Sequence, residues 1–131
     1  MRGLGNYILD RDGRTPILEE DTLAWARWFE EASKTDARRV GWTKVGTLGH
    51  VSTVFLGLDH SFGGGRPVLF ETMSFIGMDG EEWFDRYCTW EEAEAGHARI
   101  VRQALALVEQ TASQVADLLV PGLKVEGDES A

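Results

Sequence analysis

The chain has 131 residues, 43% hydrophobic and 27% charged, which is long enough for one hydrophobic core and too short for two. Its formal net charge of −9 repels phosphate backbones and disfavours nucleic acid as a partner. The one cysteine, Cys88, excludes an internal disulfide, and neither a secretory signal nor an apolar run of membrane-spanning length is present, so we expect no membrane partner and a reducing compartment.

The first predicted elements in chain order are a hairpin and a helix. Two short apolar runs flank Asp12-Gly13, a dipeptide that favours a tight turn, which predicts an amino-terminal hairpin. Apolar residues then recur every three or four positions from Leu18 to Ala32, and acidic residues stand where the helix dipole favours negative charge. This pattern predicts a first helix over residues 21–34.

Strand-like segments occupy the middle of the chain. Aromatic and β-branched residues over 38–46 predict one strand, and nearly continuous apolar runs over 51–58 and 68–75 predict the central strands. The link between these two runs contains consecutive glycines, whose backbone freedom makes it the best candidate for a functional loop. A polar connection is predicted over residues 77–87.

A long second helix is predicted next. Thr89 and Glu92 have the spacing of a capping box, and an apolar stripe continues at helical spacing to Leu118, shortly before a Pro-Gly stop signal. A helix of this length would measure about 46 Å, more than the width of so small a domain. Its distal half, residues 103–119, would leave an apolar stripe uncovered, which favours a homodimer through this segment.

Together these elements predict an α+β fold. A small antiparallel sheet, made of the amino-terminal hairpin and the central strands, would have two helices packed on it, the carboxy-terminal one long. Neither an internal repeat nor a linker divides the chain, so residues 1–121 are predicted to form a single domain and residues 122–131 an acidic tail.

Four polar residues are candidates for a reaction site. Asp59 and His60 follow a central strand, Glu71 lies among apolar residues of the next strand, and His97 is on the apolar stripe of the second helix. If their side chains converged, they would suffice for a divalent metal and a metal-dependent hydrolase. No H-x-x-x-H or H-E-x-x-H pattern supports this, so the sequence implies neither a metal nor a cofactor.

Each of these residues also has a structural interpretation, which its residue type favours. The aspartate would cap its turn and leave His60 in solvent. Glu71 would meet water or an arginine such as Arg66 or Arg86 on a half-covered face. The histidine of the second helix would be a hydrogen-bonded core residue. These interpretations favour a protein that is not an enzyme.

Two further sets of residues are candidates for binding. The glycine loop resembles an anion cradle, although it lacks the lysine of a P-loop. Its residues are Gly63, Gly64, Gly65 and Arg66. Tryptophans outnumber the needs of one small core, and Trp83 and Trp90 are candidate anchors for a partner protein. The alternative for Trp83 is that it folds back as a lid on the sheet.

The stretch from Val51 to His97 has a pattern long enough to be specific. It reads VSTVFLGLDH, then FGGG, LFETM, DRY, TWEEA and GH. This string resembles a family of short uncharacterised proteins encoded by tailed phages and prophages, mainly of actinobacteria. The resemblance covers most of the chain before Val101 and implies no catalytic role for any residue. It implies a phage accessory protein that acts in the host cytoplasm or is carried in the particle.

These observations predict a non-catalytic module that binds a host or phage protein, or assembles with its own kind. Two alternatives remain open. One is the metal-dependent hydrolase with Asp59, His60, Glu71 and His97, and the other is a counter-defence protein that sequesters a small anionic molecule with the glycine loop.

Overall fold

Six strands and two helices make up the described part of the chain, which in this computed structural model comprises residues 5–47, 49–62, 64–76 and 83–119. In chain order they are β1 (Tyr7–Leu9), β2 (Pro16–Leu18), α1 (Thr22–Ser33), β3 (Arg39–Val45), β4 (Gly49–Phe55), β5 (Phe70–Phe75), β6 (Phe84–Tyr87) and α2 (Trp90–Leu119). The predicted α+β fold is confirmed. The amino-terminal hairpin, β1-β2, forms a sheet of its own beside the four-stranded sheet β3-β4-β5-β6.

Capping residues set the start of both helices. The Asp21 carboxylate accepts the N–H groups of Leu23 and Ala24, at 3.0 and 3.3 Å, and so begins α1. Before α2, the Thr89 hydroxyl accepts the Glu92 N–H at 3.1 Å, and the Glu92 carboxylate accepts the Thr89 N–H at 3.2 Å. The predicted first helix and the predicted capping box are confirmed.

The four-stranded sheet is an antiparallel meander. The two apolar runs form its central strands, β4 and β5, and the segment predicted over 38–46 forms the edge strand β3. The opposite edge is β6, where the sequence predicts a polar connection, and that prediction is wrong for residues 84–87. Two charged residues, Asp85 and Arg86, obscure the strand pattern, and antiparallel pairing with β5 is what makes this segment extended.

Strand alternation gives this sheet two different faces. The covered face consists of side chains that point toward α2, and most of them are buried: Val45, Val51, Thr53, Phe55, Phe70, Thr72, Ser74 and Tyr87. The open face consists of the side chains between them: Arg39, Trp42, Lys44, His50, Ser52, Val54, Glu71, Met73, Phe75, Phe84 and Arg86. Neither described helix packs on the open face, since α1 contacts β1 and α2 crosses the covered face.

The amino-terminal hairpin and α1 close one end of the covered face. Trp28 packs edge-on against Phe55, with ring centroids 5.8 Å apart. The Trp25 indole N–H donates to the carbonyls of Tyr7 and Gly57, at 3.0 and 3.1 Å, and so ties α1 to β1 and to the segment that follows β4. This end of the domain has its own core cluster, whose buried members are Leu9, Phe55, Leu69, Phe70, Tyr87 and Ala93.

The second helix has a packed half and a projecting half. Its buried residues, Ala93, Gly96, Ile100 and Ala104, lie on the covered face. The side chain of Val108 reaches the β3–β4 turn at Gly46. Farther along, Val115, Leu118 and Leu119 are 48, 82 and 76% exposed, so residues 109–119 project beyond the sheet. Neither helix of the described chain is long and apolar enough to span a membrane. The predicted stop signal and the acidic tail fall outside the described residues.

Candidate functional site

A chain of hydrogen-bonded side chains crosses the covered face at its centre. His97 on α2 has one hydroxyl on each side of its ring: Thr43 Oγ1 lies 2.8 Å from Nε2, and Thr53 Oγ1 lies 2.7 Å from Nδ1. The Thr53 hydroxyl also lies 2.6 Å from that of Thr72. Three strands therefore contribute to the environment of one histidine, and both ring nitrogens have partners.

The hydrogen bonds of His97 are complete when the ring is neutral. One ring nitrogen donates to a threonine and the other accepts from one, and the hydroxyls rotate to suit either tautomer. Burial lowers the pKa of His97 below its ordinary value, because a charged imidazolium loses hydration between the helix and the sheet. The structure thus assigns this histidine the core role that its residue type favours.

Two glycines make room for this arrangement. A Cβ at Gly41 would lie 3.0 Å from the His97 ring. Any side chain at this position in β3 would therefore displace the histidine. A Cβ at Gly96 would lie 2.1 Å from the Tyr87 hydroxyl, which comes directly against the helix backbone. The glycine before His97 is therefore explained by the approach of Tyr87.

The Tyr87 side chain is buried, 8% exposed, and its hydroxyl has no hydrogen-bond partner among the described residues. Burial raises the pKa of this phenol. The ring fills space between β6 and α2 as part of the core cluster, and this packing accounts for its place.

Glu71 lies on the opposite side of the sheet from His97. Thr72, its neighbour in β5, faces the histidine cluster, so strand alternation directs Glu71 to the open face. There its carboxylate accepts a hydrogen bond from the Arg86 guanidinium at 2.9 Å. The expected pairing with an arginine is confirmed. The sheet itself separates this carboxylate from the histidine.

Asp59 and His60 belong to the loop between the central strands. The Asp59 carboxylate accepts the N–H groups of Ser61 and Val68, at 2.8 and 3.0 Å, and these bonds help to lower its pKa against the opposing effect of burial. His60 packs edge-on against Phe62, with ring centroids 5.6 Å apart. The aspartate caps the loop, as its structural interpretation predicts.

The four candidates for a metal site therefore occupy three separate places. No group of three or more His, Cys, Asp or Glu side chains within residues 5–47, 49–62, 64–76 and 83–119 is arranged to hold a metal ion. His97 has threonine partners, Glu71 has an arginine partner, and Asp59 has backbone partners. Each of these side chains is accounted for by the fold.

Part of the glycine loop is described. Gly64 and Gly65 have φ angles of +97° and +83°, in the region that favours glycine, and a Cβ at either would meet no atom within 4 Å. Gly63 lies outside the described residues. The Arg66 guanidinium pairs with Glu92 at the start of α2, at 3.5 Å. The arginine predicted to face an anion thus has a carboxylate beside it.

The two tryptophans proposed as anchors pack against the core. The Trp83 side chain packs on the cluster of Val45 and Ile100, and its backbone N–H donates to the Ser74 hydroxyl at 2.7 Å. It folds back on the sheet, as its alternative interpretation states. Trp90 packs edge-on against Phe70, and its indole N–H is buried without a partner among the described residues.

The exposed tryptophan is Trp42, which the sequence places in a strand but does not single out. It is 48% exposed on the open face. Its ring stacks on His50 at a centroid distance of 5.4 Å, and His50 stacks on Phe75 at 4.9 Å. A row of three aromatic rings therefore crosses β3, β4 and β5 on the side that no described helix covers.

The rest of the open face is apolar at its centre and basic at its margin. Val54 and Met73 are half-buried, and Phe84 is 64% exposed. Arg39, Lys44 and Arg86 carry positive charge against the one carboxylate of Glu71. A chain of net charge −9 thus has a locally basic, aromatic surface, a composition typical of protein interfaces. The sequence feature that could have indicated this surface is that large side chains occupy successive positions of the same strands, and therefore both faces of the sheet.

Comparison with known proteins gives no relative for this chain: no family model, no curated protein and no solved structure matches it.

Proposed function

We propose that this protein is a non-catalytic binding and assembly module, and that it associates with a second copy of itself through the projecting half of α2. The observation that carries the proposal is the group of exposed apolar side chains near the end of the projecting half. Val115, Leu118 and Leu119 lie within about one helical turn of one another and are 48, 82 and 76% exposed. Exposed apolar side chains grouped on one helix form an association surface.

The charge of the projecting half supports association between copies. Residues 103–119, which include the projecting half, contain only two charged side chains, Glu109 and Asp117, although 27% of the whole chain is charged. Two molecules that each carry a net charge of −9 repel one another, so a contact between them is best made where charge is sparse. This segment is the charge-poor part of α2.

We infer a binding role rather than a reaction because the polar candidates have structural partners. The His97 ring is bonded to threonines, Glu71 to Arg86, and Asp59 to backbone N–H groups. The resemblance to short phage proteins supports a role as a phage accessory protein in the host cytoplasm. In that role the module binds a host or phage protein, or its own kind.

The experiment compares the solution mass of the intact chain with that of a double variant of α2. Val115→Asp with Leu118→Asp places two carboxylates on the apolar side of the projecting half. We expect light scattering to give two chains for the wild type and one for the variant. Circular dichroism should show the same helix content in both, because neither residue is buried in the sheet.

The matched control is Leu18→Asp with Leu23→Asp, which adds the same charge at two other exposed leucines, 54 and 67% exposed. This variant should remain a dimer. If the wild type is a single chain at every concentration, or if control and test variants dissociate equally, the proposal is wrong.

A further inference from the structure

We propose that the projecting half of α2 packs on the open face of the second copy, and that the exchange is reciprocal. This inference rests on the proposed function and names the surface that receives the helix. The occupant of the open face is thus residues 109–119 of another molecule of the same chain.

Among residues 5–47, 49–62, 64–76 and 83–119, no element covers either surface. A sheet with large apolar side chains on both faces is stable when both are covered, most often by helices. Here α2 covers one face, and Trp42, Phe75 and Phe84 on the other are 48, 39 and 64% exposed. The described part of the same chain also leaves the apolar side of the projecting half exposed, so one contact between two copies can cover both.

The charges of the projecting half and of the open face are complementary. The projecting half carries Glu109 and Asp117 and no basic residue. The open face carries the basic residues named above, and Lys44 lies beside His50 in the strand register, next to the aromatic row. A helix with two carboxylates therefore meets a basic margin on the sheet, whereas two such helices paired with each other would bring only acidic residues together.

The point where α2 leaves the sheet also favours this contact. The α2 helix leaves the sheet at the β3–β4 turn, where Val108 lies against Gly46. The aromatic row is near this end, because His50 lies at the start of β4 and pairs with Lys44 and Phe75 at the ends of β3 and β5. A twofold axis that lies in the plane of the sheet beside this end puts the two sheets into one layer and turns the open face of each copy to the side where α2 of the other copy lies. Each projecting helix then crosses the open face of the other copy.

The lengths of the two surfaces agree. Residues 109–119 span about 16 Å as a helix. A strand of six residues such as β5 spans about 20 Å. The helix therefore covers most of the open face along the strands, and its first contact is with Trp42, His50 and Phe75.

The stacked rings favour a protein occupant over a single-stranded nucleic acid. Nucleobases bind sheets by stacking on free aromatic faces. In this row the two faces of His50 are already occupied by Trp42 and Phe75, at interplanar angles of 20° and 28°. The net charge of −9 also repels phosphates.

The test uses a spin label on one chain and isotope on the other. The spin label is attached to the cysteine of a Leu118→Cys variant in which Cys88 is replaced by serine. This labelled variant is mixed with wild-type protein that carries no spin label and is enriched in nitrogen-15. We expect the label to broaden the indole N–H signal of Trp42 and to spare that of Trp28, which lies in the core. A second label site, Gln114→Cys, repeats the test where the first disturbs the contact.

The outcomes separate this inference from the proposed function. Broadening of Trp42 supports the exchange. Broadening confined to α2 amides of residues 105–119 means that helix pairs with helix, which overturns this inference and keeps the dimer. A single chain in solution overturns both. Broadening of neither surface in a proven dimer also overturns the exchange.

A substitution on the sheet gives an independent measure. Trp42→Ala removes a large aromatic side chain from the centre of the proposed contact, and should raise the dimer Kd about 30-fold. Leu23→Ala, at a leucine of α1 that is 67% exposed, is the matched control and should leave the Kd nearly unchanged. An unchanged Kd for the tryptophan variant overturns the inference, since helix–helix pairing does not involve the sheet.

Discussion

The covered face of the four-stranded sheet buries polar side chains among its apolar ones, whereas the open face exposes aromatic side chains. Thr53, Thr72 and Ser74 on the covered face are fully buried, whereas Trp42 and Phe75 on the open face are 48 and 39% exposed. The buried hydroxyls are satisfied by hydrogen bonds to one another, to His97 or to the backbone. Residue type alone therefore does not identify the core face. Substitutions on the covered face should therefore affect folding, and those on the open face association.

The largest effect on folding is expected for Gly96→Ala. Alanine normally stabilises a helix relative to glycine by about 1 kcal/mol. Here the new methyl group would overlap the Tyr87 hydroxyl, and that side chain is buried between β6 and α2. We expect a loss of about 2–4 kcal/mol in the free energy of unfolding, measured by urea denaturation. Glu94→Ala, on the exposed side of the same turn, is the control, and a Gly96→Ala protein as stable as that control would contradict the packing described.

A smaller effect is expected for Thr53→Val. The valine keeps the shape but leaves the Thr72 hydroxyl and the His97 Nδ1 without their shared partner. The expected cost is about 1–3 kcal/mol, because Thr72 is fully buried and His97 half-buried. Ser52→Ala, the next residue and on the open face, should change stability by less than about 0.5 kcal/mol. Equal effects at the two positions in denaturant unfolding would mean that the faces do not differ as described.

The stability of the domain should also depend on pH through His97. Burial lowers the pKa of this histidine in the folded chain, while the unfolded chain has the ordinary value of 6.5. As the pH falls below 6.5, the unfolded chain therefore takes up a proton that the folded chain does not, and stability decreases. Unfolding curves between about pH 7 and pH 5 should show this loss. Glutamine at position 97 donates and accepts without titrating, so His97→Gln should flatten the dependence, and an unchanged slope would speak against a buried neutral ring.

The smallest effect is expected on the open face. Glu71→Gln weakens the pair with Arg86, whose side chain is 40% exposed. Surface pairs of this kind contribute about 0.5 kcal/mol, so the urea midpoint should move little. A loss as large as that of Thr53→Val would show that the open face is part of the folding core.

Much of the fold can be predicted from the sequence because its signals are local. Asp21 caps α1, and the Thr89–Glu92 box begins α2, each within one turn of the helix it starts. The central strands are predicted from their apolar runs. Strand β6 is not, since Asp85 and Arg86 interrupt the pattern and only pairing with β5 makes the segment extended.

The candidate site could be predicted only in part because it depends on strand register. Alternation predicts Glu71 on the face of Leu69, Met73 and Phe75. The structure has Glu71 with Met73 and Phe75, but Leu69, which precedes β5, is buried in the core cluster. Which side of the strand faces α2 is decided by packing, since both sides carry large residues. The sequence therefore could not show that the sheet separates Glu71 from His97. Trp42 was identifiable as a strand residue, but its exposure depends on where the helices lie.

The most direct test of the account is the mass of the intact protein in solution over a dilution series. We propose that the projecting half of α2 is an association surface. We therefore expect twice the chain mass of 14.6 kDa at high concentration, falling toward one chain on dilution. A mass of one chain throughout, with α2 fully helical by circular dichroism, would contradict it.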